Sequence, residues 1–341
     1  MYLFARRSSA IAQVSIKCLW LMVLFISLLI LDGCKWPSPT IRPLSTLELP
    51  GGANAVVIQD GYAFVTRGKS GLVIVDLREP KIPRIVASLD VELFVNSLSA
   101  SGNRVYLATA NGGHILIIDV TTLTAPHIIG SYKTGGNALA VEARDDIVFV
   151  ASGGVGFVIL DLADPAQPRL LSEIQFSEQG RESFVYDVNV VGDLAYIAGR
   201  SHDQIVLNIA DPAQPVTMSQ HRDLTPSTPT GSIRVWRKYG YAKTSGGVYG
   251  FDLSMPTHPE VISAIDVPAF VMDVEPYDSN LYVAELFALR IYDVSKPALP
   301  REIAQFRVDQ GAAVDVAENY AVLADKIFGL YVFDVRPFRK Q

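Results

Sequence analysis

An apolar run closed by a single acid recurs along the chain, each time followed by a corner marked with proline. Leu72-Val73-Ile74-Val75 closes at Asp76 before Pro80 and Pro83, and Ile115-Leu116-Ile117-Ile118 closes at Asp119 before Pro126. Phe157-Val158-Ile159-Leu160 closes at Asp161 before Pro165 and Pro168. Ile205-Val206-Leu207 closes at Asn208, Val248-Tyr249-Gly250-Phe251 at Asp252, Leu289-Arg290-Ile291-Tyr292 at Asp293, and Leu330-Tyr331-Val332-Phe333 at Asp334. Successive closing residues lie 41 to 47 positions apart. Short β-branched runs at this period predict an array of small sheets, stacked or arranged in a ring. A unit of that size cannot bury a core alone and must pack on its neighbours.

Each repeat has the same internal grammar. Asn137–Glu142 predicts a first strand, Arg144-Asp145-Asp146 a polar turn, and Ile147–Ala151 a second strand. A glycine-rich turn at Gly153-Gly154 leads into the run that closes at Asp161, and a fourth strand follows the prolines. Near the start of the chain, Leu44-Ser45-Thr46-Leu47-Glu48-Leu49 reads like these fourth strands, for example Ile262–Val267 and Ile303–Val308. The seventh repeat has no fourth strand of its own. The expected architecture is therefore all-β: a seven-bladed β-propeller of four-stranded blades over residues 44–341, its last blade closed by the N-terminal strand. Such closure removes an open sheet edge.

Ahead of the repeats, residues 1–17 hold Arg6, Arg7 and Lys17 and no acid, and residues 18–31 are uncharged and apolar. Fourteen residues is short for a span, which takes about 17–25, and suits an export signal. Leu31-Asp32-Gly33-Cys34 resembles the lipobox of bacterial lipoproteins, with Asp32 departing from its usual small residue. That resemblance implies a signal peptide over 1–33, acylation at Cys34 and, with Lys35 next, the outer membrane as destination; an uncleaved signal anchor is the alternative. Residues 34–43 form a Pro-rich tether, extended at about 3 Å per residue.

Charge and cysteine content narrow the classes. Net charge is −6 over the whole chain, and −8 without residues 1–33. With no basic stripe, nucleic acid is not an expected partner. The only cysteines, Cys18 and Cys34, precede the repeats, so no disulfide framework or thiolate metal site belongs to the folded part.

The third-strand motif, present literally as Leu72-Val73-Ile74-Val75-Asp76, comes with second strands such as Ala63-Phe64-Val65 and Val148-Phe149-Val150 and with the spaced prolines. In these features the chain is similar to the LVIVD-repeat proteins over residues 44–341. The resemblance implies a β-propeller of bacterial envelope or surface proteins and carries no established chemistry.

Candidate chemistry is sparse. The repeated Asp is read as a turn cap, because Asn208 fills the same slot and an amide caps but cannot act as an acid or base. The five histidines fall in different repeats without ligand spacing, and no Gly-x-Ser-x-Gly elbow occurs. The turns between second and third strands, including Lys243-Thr244 and Glu285-Leu286-Phe287, are read as polar. They are expected to share one face with the long connections Ser177–Glu182 and Asp223–Thr230.

Aligning first strands on a recurring Val or Leu puts Ala55, Ser97, Ala140, Asp187, Arg234, Asp273 and Asp315 in one column, a single ring about the axis. Asp187, Arg234, Asp273 and Asp315 are the candidate channel site. A cation such as calcium, ordered water or a basic ligand group would balance the carboxylates; alternatively each Asp bonds backbone N–H groups of the next blade. The functional expectation is a lipid-anchored, non-enzymatic binding or scaffold protein. Its partners would be the membrane through Cys34 and a protein or small polar ligand at the loop-rich face. A propeller enzyme or small-ligand protein with its site in the channel is the alternative.

Overall fold

The computed structural model describes residues 38–110, 112–178, 181–182, 184–200, 204–221 and 231–339. The signal segment and Cys34 lie outside them, as does the long connection at 223–230. Among the described residues there are seven four-stranded antiparallel sheets. Their innermost strands are Ala55–Gln59, Val95–Ser101, Ala140–Arg144, Val185–Val191, Ser232–Trp236, Val271–Tyr277 and Gly311–Ala317, belonging to blades 1 to 7. Each of these strands contacts the innermost strand of the blade before and after it, and blade 7 returns to blade 1, so the ring is closed.

The closing strand is Ser45–Glu48. It pairs antiparallel with Gly329–Asp334 as the outermost strand of blade 7, with Ser45 opposite Val332 and Glu48 opposite Gly329. Docking starts upstream of Leu44, where the expected propeller boundary fell: Thr40 bridges Gln305 of blade 6, and the Ile41 N–H donates to the Gln305 carbonyl at 2.9 Å. The chain therefore joins the ring on its outer rim.

The core is divided among the seven blade interfaces, one apolar cluster in each. Leu49, Val65, Val75, Val322 and Val332 join blades 7 and 1, while Phe149, Ile159, Val188 and Ile197 join blades 3 and 4. This is why the third strand is apolar on both faces: each side of the sheet packs on a neighbouring blade. The interface of blades 4 and 5 has the smallest cluster, of Tyr196, Val206, Ile233, Ala242, Phe251 and Leu253.

The closing Asp of each repeat performs one job. Its side-chain oxygen accepts the backbone N–H two residues on: Asp76 from Arg78 at 3.0 Å, Asp119 from Thr121 at 2.8 Å, Asp161 from Ala163 at 3.0 Å. Asn208 does the same for Ala210 at 2.9 Å, and Asp252, Asp293 and Asp334 for Ser254, Ser295 and Arg336. This Asx turn stops the third strand and starts the proline corner. Just inside it, the outer strand of blades 1 to 6 carries a register shift, as between Ile74 and Val75 or Ile291 and Tyr292. The added residue bends that strand.

Candidate functional site

The innermost strands carry the titratable side chains that face the axis, and their register with the second strands fixes the height of each. Ser97, Asp187 and Asp273 stand opposite Ala108, Ala198 and Ala284, and Ser232 and Ala313 hold the same level opposite Lys243 and Ala324. Two residues further on, Ser99, Glu142, Asn189, Arg234, Glu275 and Asp315 stand opposite Tyr106, Phe149, Tyr196, Tyr241, Tyr282 and Val322. The expected single ring is therefore two tiers. Asp187 and Asp273 lie in the upper tier; Arg234 and Asp315 lie in the lower. The sequence alignment slipped by two in blades 5 and 7 because Ile233 and Val235, and likewise Val314 and Val316, offer two branched positions flanking the same residue. The equivalents of Val188 and Val274 are the buried Ile233 and Val314.

Most lower-tier side chains tie their own blade to the next. Ser99 Oγ accepts from Ala143 N–H at 3.0 Å, Glu142 Oε2 from Val190 N–H at 2.9 Å, and Asn189 Oδ1 from Val235 N–H at 2.8 Å. Asp315 Oδ2 accepts from Ile58 N–H at 2.6 Å, and Asp273, from the upper tier, accepts from Val314 N–H at 3.2 Å. Between blades 5 and 6 the polarity reverses, and the Lys243 ammonium donates to the Met272 carbonyl.

Arg234 reaches back to blade 4 and binds Asp187 Oδ2 at 2.6 Å. Burial works against its charge, but the carboxylates of Asp187, Asp273, Glu275 and Glu142 outweigh burial and hold it protonated. Burial lowers the basicity of Lys243, partly offset by Asp273 and Asp187. The carboxylates move the other way. Burial pushes Glu142 up to about 7 and Asp315 up to about 6, against the backbone donors that each receives. Burial also raises Asp273, with Arg234 and Lys243 opposing. Glu275 stands well above the carboxylate range, through burial first and then the charge of Asp315.

Glu142, Glu275 and Lys243 belong to this cluster and were not among the sequence candidates. Stepping two residues along the inner strands from Ala140 and Asp273 finds the acids. Lys243 is not in the polar turn expected of it; it lies in the strand Tyr239–Thr244, in a column whose other places hold Thr66, Ala108, Ala151, Ala198, Ala284 and Ala324. Thr244 beside it is buried. Among the described residues no three His, Cys, Asp or Glu side chains converge closely enough to hold a metal ion.

The second candidate surface is the face where chains enter the inner strands. Phe270, before the inner strand of blade 6, is 62% exposed; Phe287, in the turn after the second strand of that blade, is 57% exposed; Ile327, in the same turn of blade 7, is 63% exposed. Backbone bonds hold these turns together: Leu286 N–H donates to Phe270 O, Gly311 N–H to Leu286 O, and Lys326 N–H to Gln310 O. In the connection that follows blade 3, Ser177–Glu178 pairs antiparallel with Arg181–Glu182.

Comparison with known proteins bears on the fold. The family model described as "LVIVD repeat" matches residues 50–91, 95–134, 135–175 and 184–223, which are blades 1 to 4 with their approaches. No curated protein matches the chain. Among solved structures, the β-propeller domain of Cps50 (Swd1) from Myceliophteria thermophila aligns with a TM-score of 0.68 at 11% identity, over 86% of this chain and 99% of that one. The computationally designed Ika8 protein aligns with a TM-score of 0.62, also at 11% identity, over 86% of this chain and all of the designed one. At that identity the likeness speaks for architecture alone. The third-strand motif, the matched repeats and the closed ring together make this chain a seven-bladed β-propeller carrying LVIVD repeats.

Proposed function

We propose that the protein is a non-enzymatic binding or scaffold protein, held in a bacterial envelope by an acylated Cys34, which takes a protein partner on its loop-rich face. The observation that carries this reading is the exposure of Phe270, Phe287 and Ile327 on turns of blades 6 and 7 that backbone hydrogen bonds join. Large apolar side chains left in water on joined turns are a usual centre of a protein contact. Other exposed apolar residues, such as Ile82, Met255 and Leu299, sit singly at the proline corners of separate blades. Thr40 and Ile41 themselves dock on the outer strand of blade 6, at Gln305.

The enzyme reading draws on the raised carboxylates of the channel, since perturbed acids in a cleft are a mark of catalysis. Here Glu142, Asp273 and Asp315 are engaged by backbone N–H groups of the next blade, which accounts for them as joints of the ring. Burial at those joints is sufficient cause for their shifts.

The reading is tested by recovering partners from solubilised envelope membranes with the wild-type protein and with Phe270→Ser/Phe287→Ser. A species retained by wild type and lost from the double variant, at equal melting temperature, is the expected result. Identical recovery on both, or turnover of small substrates by the purified protein, would overturn it.

A further inference from the structure

Phe270 occupies a place that recurs around the ring. In blades 2, 4 and 6 a phenylalanine stands just before the inner strand, and its carbonyl accepts the N–H that follows the second strand. Phe94 accepts from Ala110 at 2.8 Å, Phe184 from Arg200 at 2.7 Å and Phe270 from Leu286 at 2.9 Å. In blades 2 and 4 the ring lies against a glycine of the preceding blade. A Cβ at Gly68 of blade 1 would come 3.1 Å from Phe94 Cε2, and one at Gly153 of blade 3 would come 2.9 Å from Phe184 Cζ. Both glycines have a left-handed φ, +56° and +57°. Ring and turn meet there because no side chain stands between them.

Blade 5 offers Phe270 no such place. Thr66, Ala151 and Lys243 hold one level at the ends of their second strands. Gly71, Gly156 and Gly247 open the returning strands, packed on the outer-strand carbonyls of Leu89, Ile174 and Ile265. Between these landmarks lie residues 67–70 in blade 1, 152–155 in blade 3 and only 244–246 in blade 5, a turn one residue shorter. Gly246 in that turn has no left-handed φ, and no atom of the described residues would lie within 4 Å of a Cβ on it. The Phe270 ring is accordingly 62% exposed, against 37% for Phe94.

The same side chain in the same backbone position is thus covered twice by a glycine turn and left uncovered once. An aromatic ring on a rigid turn is the kind of group that anchors a protein contact. Resting on the reading of this face as a protein-binding surface, we infer that Phe270 is its anchor, and that the partner is a different protein that sets a glycine-bearing turn against the ring as Gly68 meets Phe94 and Gly153 meets Phe184. Inside the chain that contact closes the gap between neighbouring blades; at blade 6 it closes the gap to a second molecule.

The test builds the missing glycine turn into blade 5. In the full chain, residues 244–247 are replaced by the sequence Ser-Gly-Gly-Val-Gly of residues 152–156, which leaves Phe270, Phe287 and Ile327 in place. A second form of this graft carries Gly153→Ala. Para-fluorophenylalanine at position 270 reports the ring by fluorine NMR. In the graft its resonance should move toward that of the same label at position 94. Retention of the species that wild type recovers from solubilised envelope membranes should fall about tenfold or more, the effect of losing one anchor side chain. In the Gly153→Ala form both should return to wild type, which also shows that the longer turn folds. A hairpin peptide with the sequence of residues 66–72, at millimolar concentration, should displace the retained species, and its Gly68→Ala form should not. The same retention by both grafts, displacement by both peptides or by neither, or a retained species that is a second copy of this chain would overturn the inference while leaving the face a protein-binding one. Retention of nothing by wild type would end both.

Discussion

Asp315 Oδ2 accepts the Ile58 backbone N–H at 2.6 Å, so a carboxylate of the last inner strand holds the first. Its other oxygen accepts from Val316 N–H at 2.8 Å on its own strand. The same pairing of a near and a far N–H occurs at Asp273, with Val274 and Val314. Asp315→Ala leaves two inner-strand N–H groups without their acceptor and should cost about 1–3 kcal/mol. Asp315→Asn keeps an acceptor oxygen and should cost less than half as much. Urea unfolding of the two variants checks this, and an equal loss in both would show that charge rather than the bond matters.

Stability should fall as pH rises from about 5 to about 8. A carboxyl raised in the folded state favours folding while protonated; that contribution is complete below the unfolded value near 4.5 and is lost as pH passes the folded value. Glu142, Asp315 and Glu275 all have this sign, with the first two at about 7 and about 6. The part carried by Glu142 and Asp315 should be about 1–3 kcal/mol and should be lost once pH has passed about 7. Asp76, Asp161 and Asp334 have the opposite sign. Hydrogen bonds lower them, so their contribution disappears only as pH falls below about 4. Urea midpoints measured across this range should peak near pH 5, and Glu275→Gln should flatten the fall on the alkaline side.

Removal of residues 41–50 should open the ring. Leu49 is fully buried between blades 7 and 1, and Leu47 packs against the same cluster. Leu49→Ala alone should cost about 2–5 kcal/mol, and the deletion, which also exposes the strand Gly329–Asp334 as an edge, should cost more. An unchanged melting temperature after the deletion would mean that the fourth place in blade 7 contributes nothing.

The ring was legible in the sequence because its parts repeat with the period of a blade. The apolar run, its closing Asp and the prolines are one turn device used seven times, and Asn208 already distinguished cap from catalyst. The closing strand was legible for the same reason, as a fourth strand out of order. The channel was less so. One extra residue, Asn96, Tyr186, Met272 or Ala312, bulges the inner strand of blades 2, 4, 6 and 7 and breaks simple counting. Glu275 was missed because it lies two residues past Asp273, in the tier that the aligned column did not follow in blade 6. Lys243 did leave a trace, as the one long side chain in a column of small residues, but that column exists only once the register is known.

Anchoring at Cys34 makes its own demand. The membrane-extracted protein should have the intact mass of a chain beginning at an acylated Cys34, and Cys34→Ser should move it to the soluble fraction. An unprocessed, unacylated mass would end the lipoprotein reading while leaving the propeller untouched.

The most direct measurement is site-specific photocrosslinking in envelope preparations, with the photoreactive residue placed at Phe287 or at Leu299. Both positions are exposed and apolar, at 57% and 73%, but Phe287 belongs to the clustered turns and Leu299 to an isolated proline corner. A discrete crosslinked species from position 287 and none from 299 is the result expected of a protein that binds through its loop-rich face. The same products from both positions, or none from 287, would contradict it.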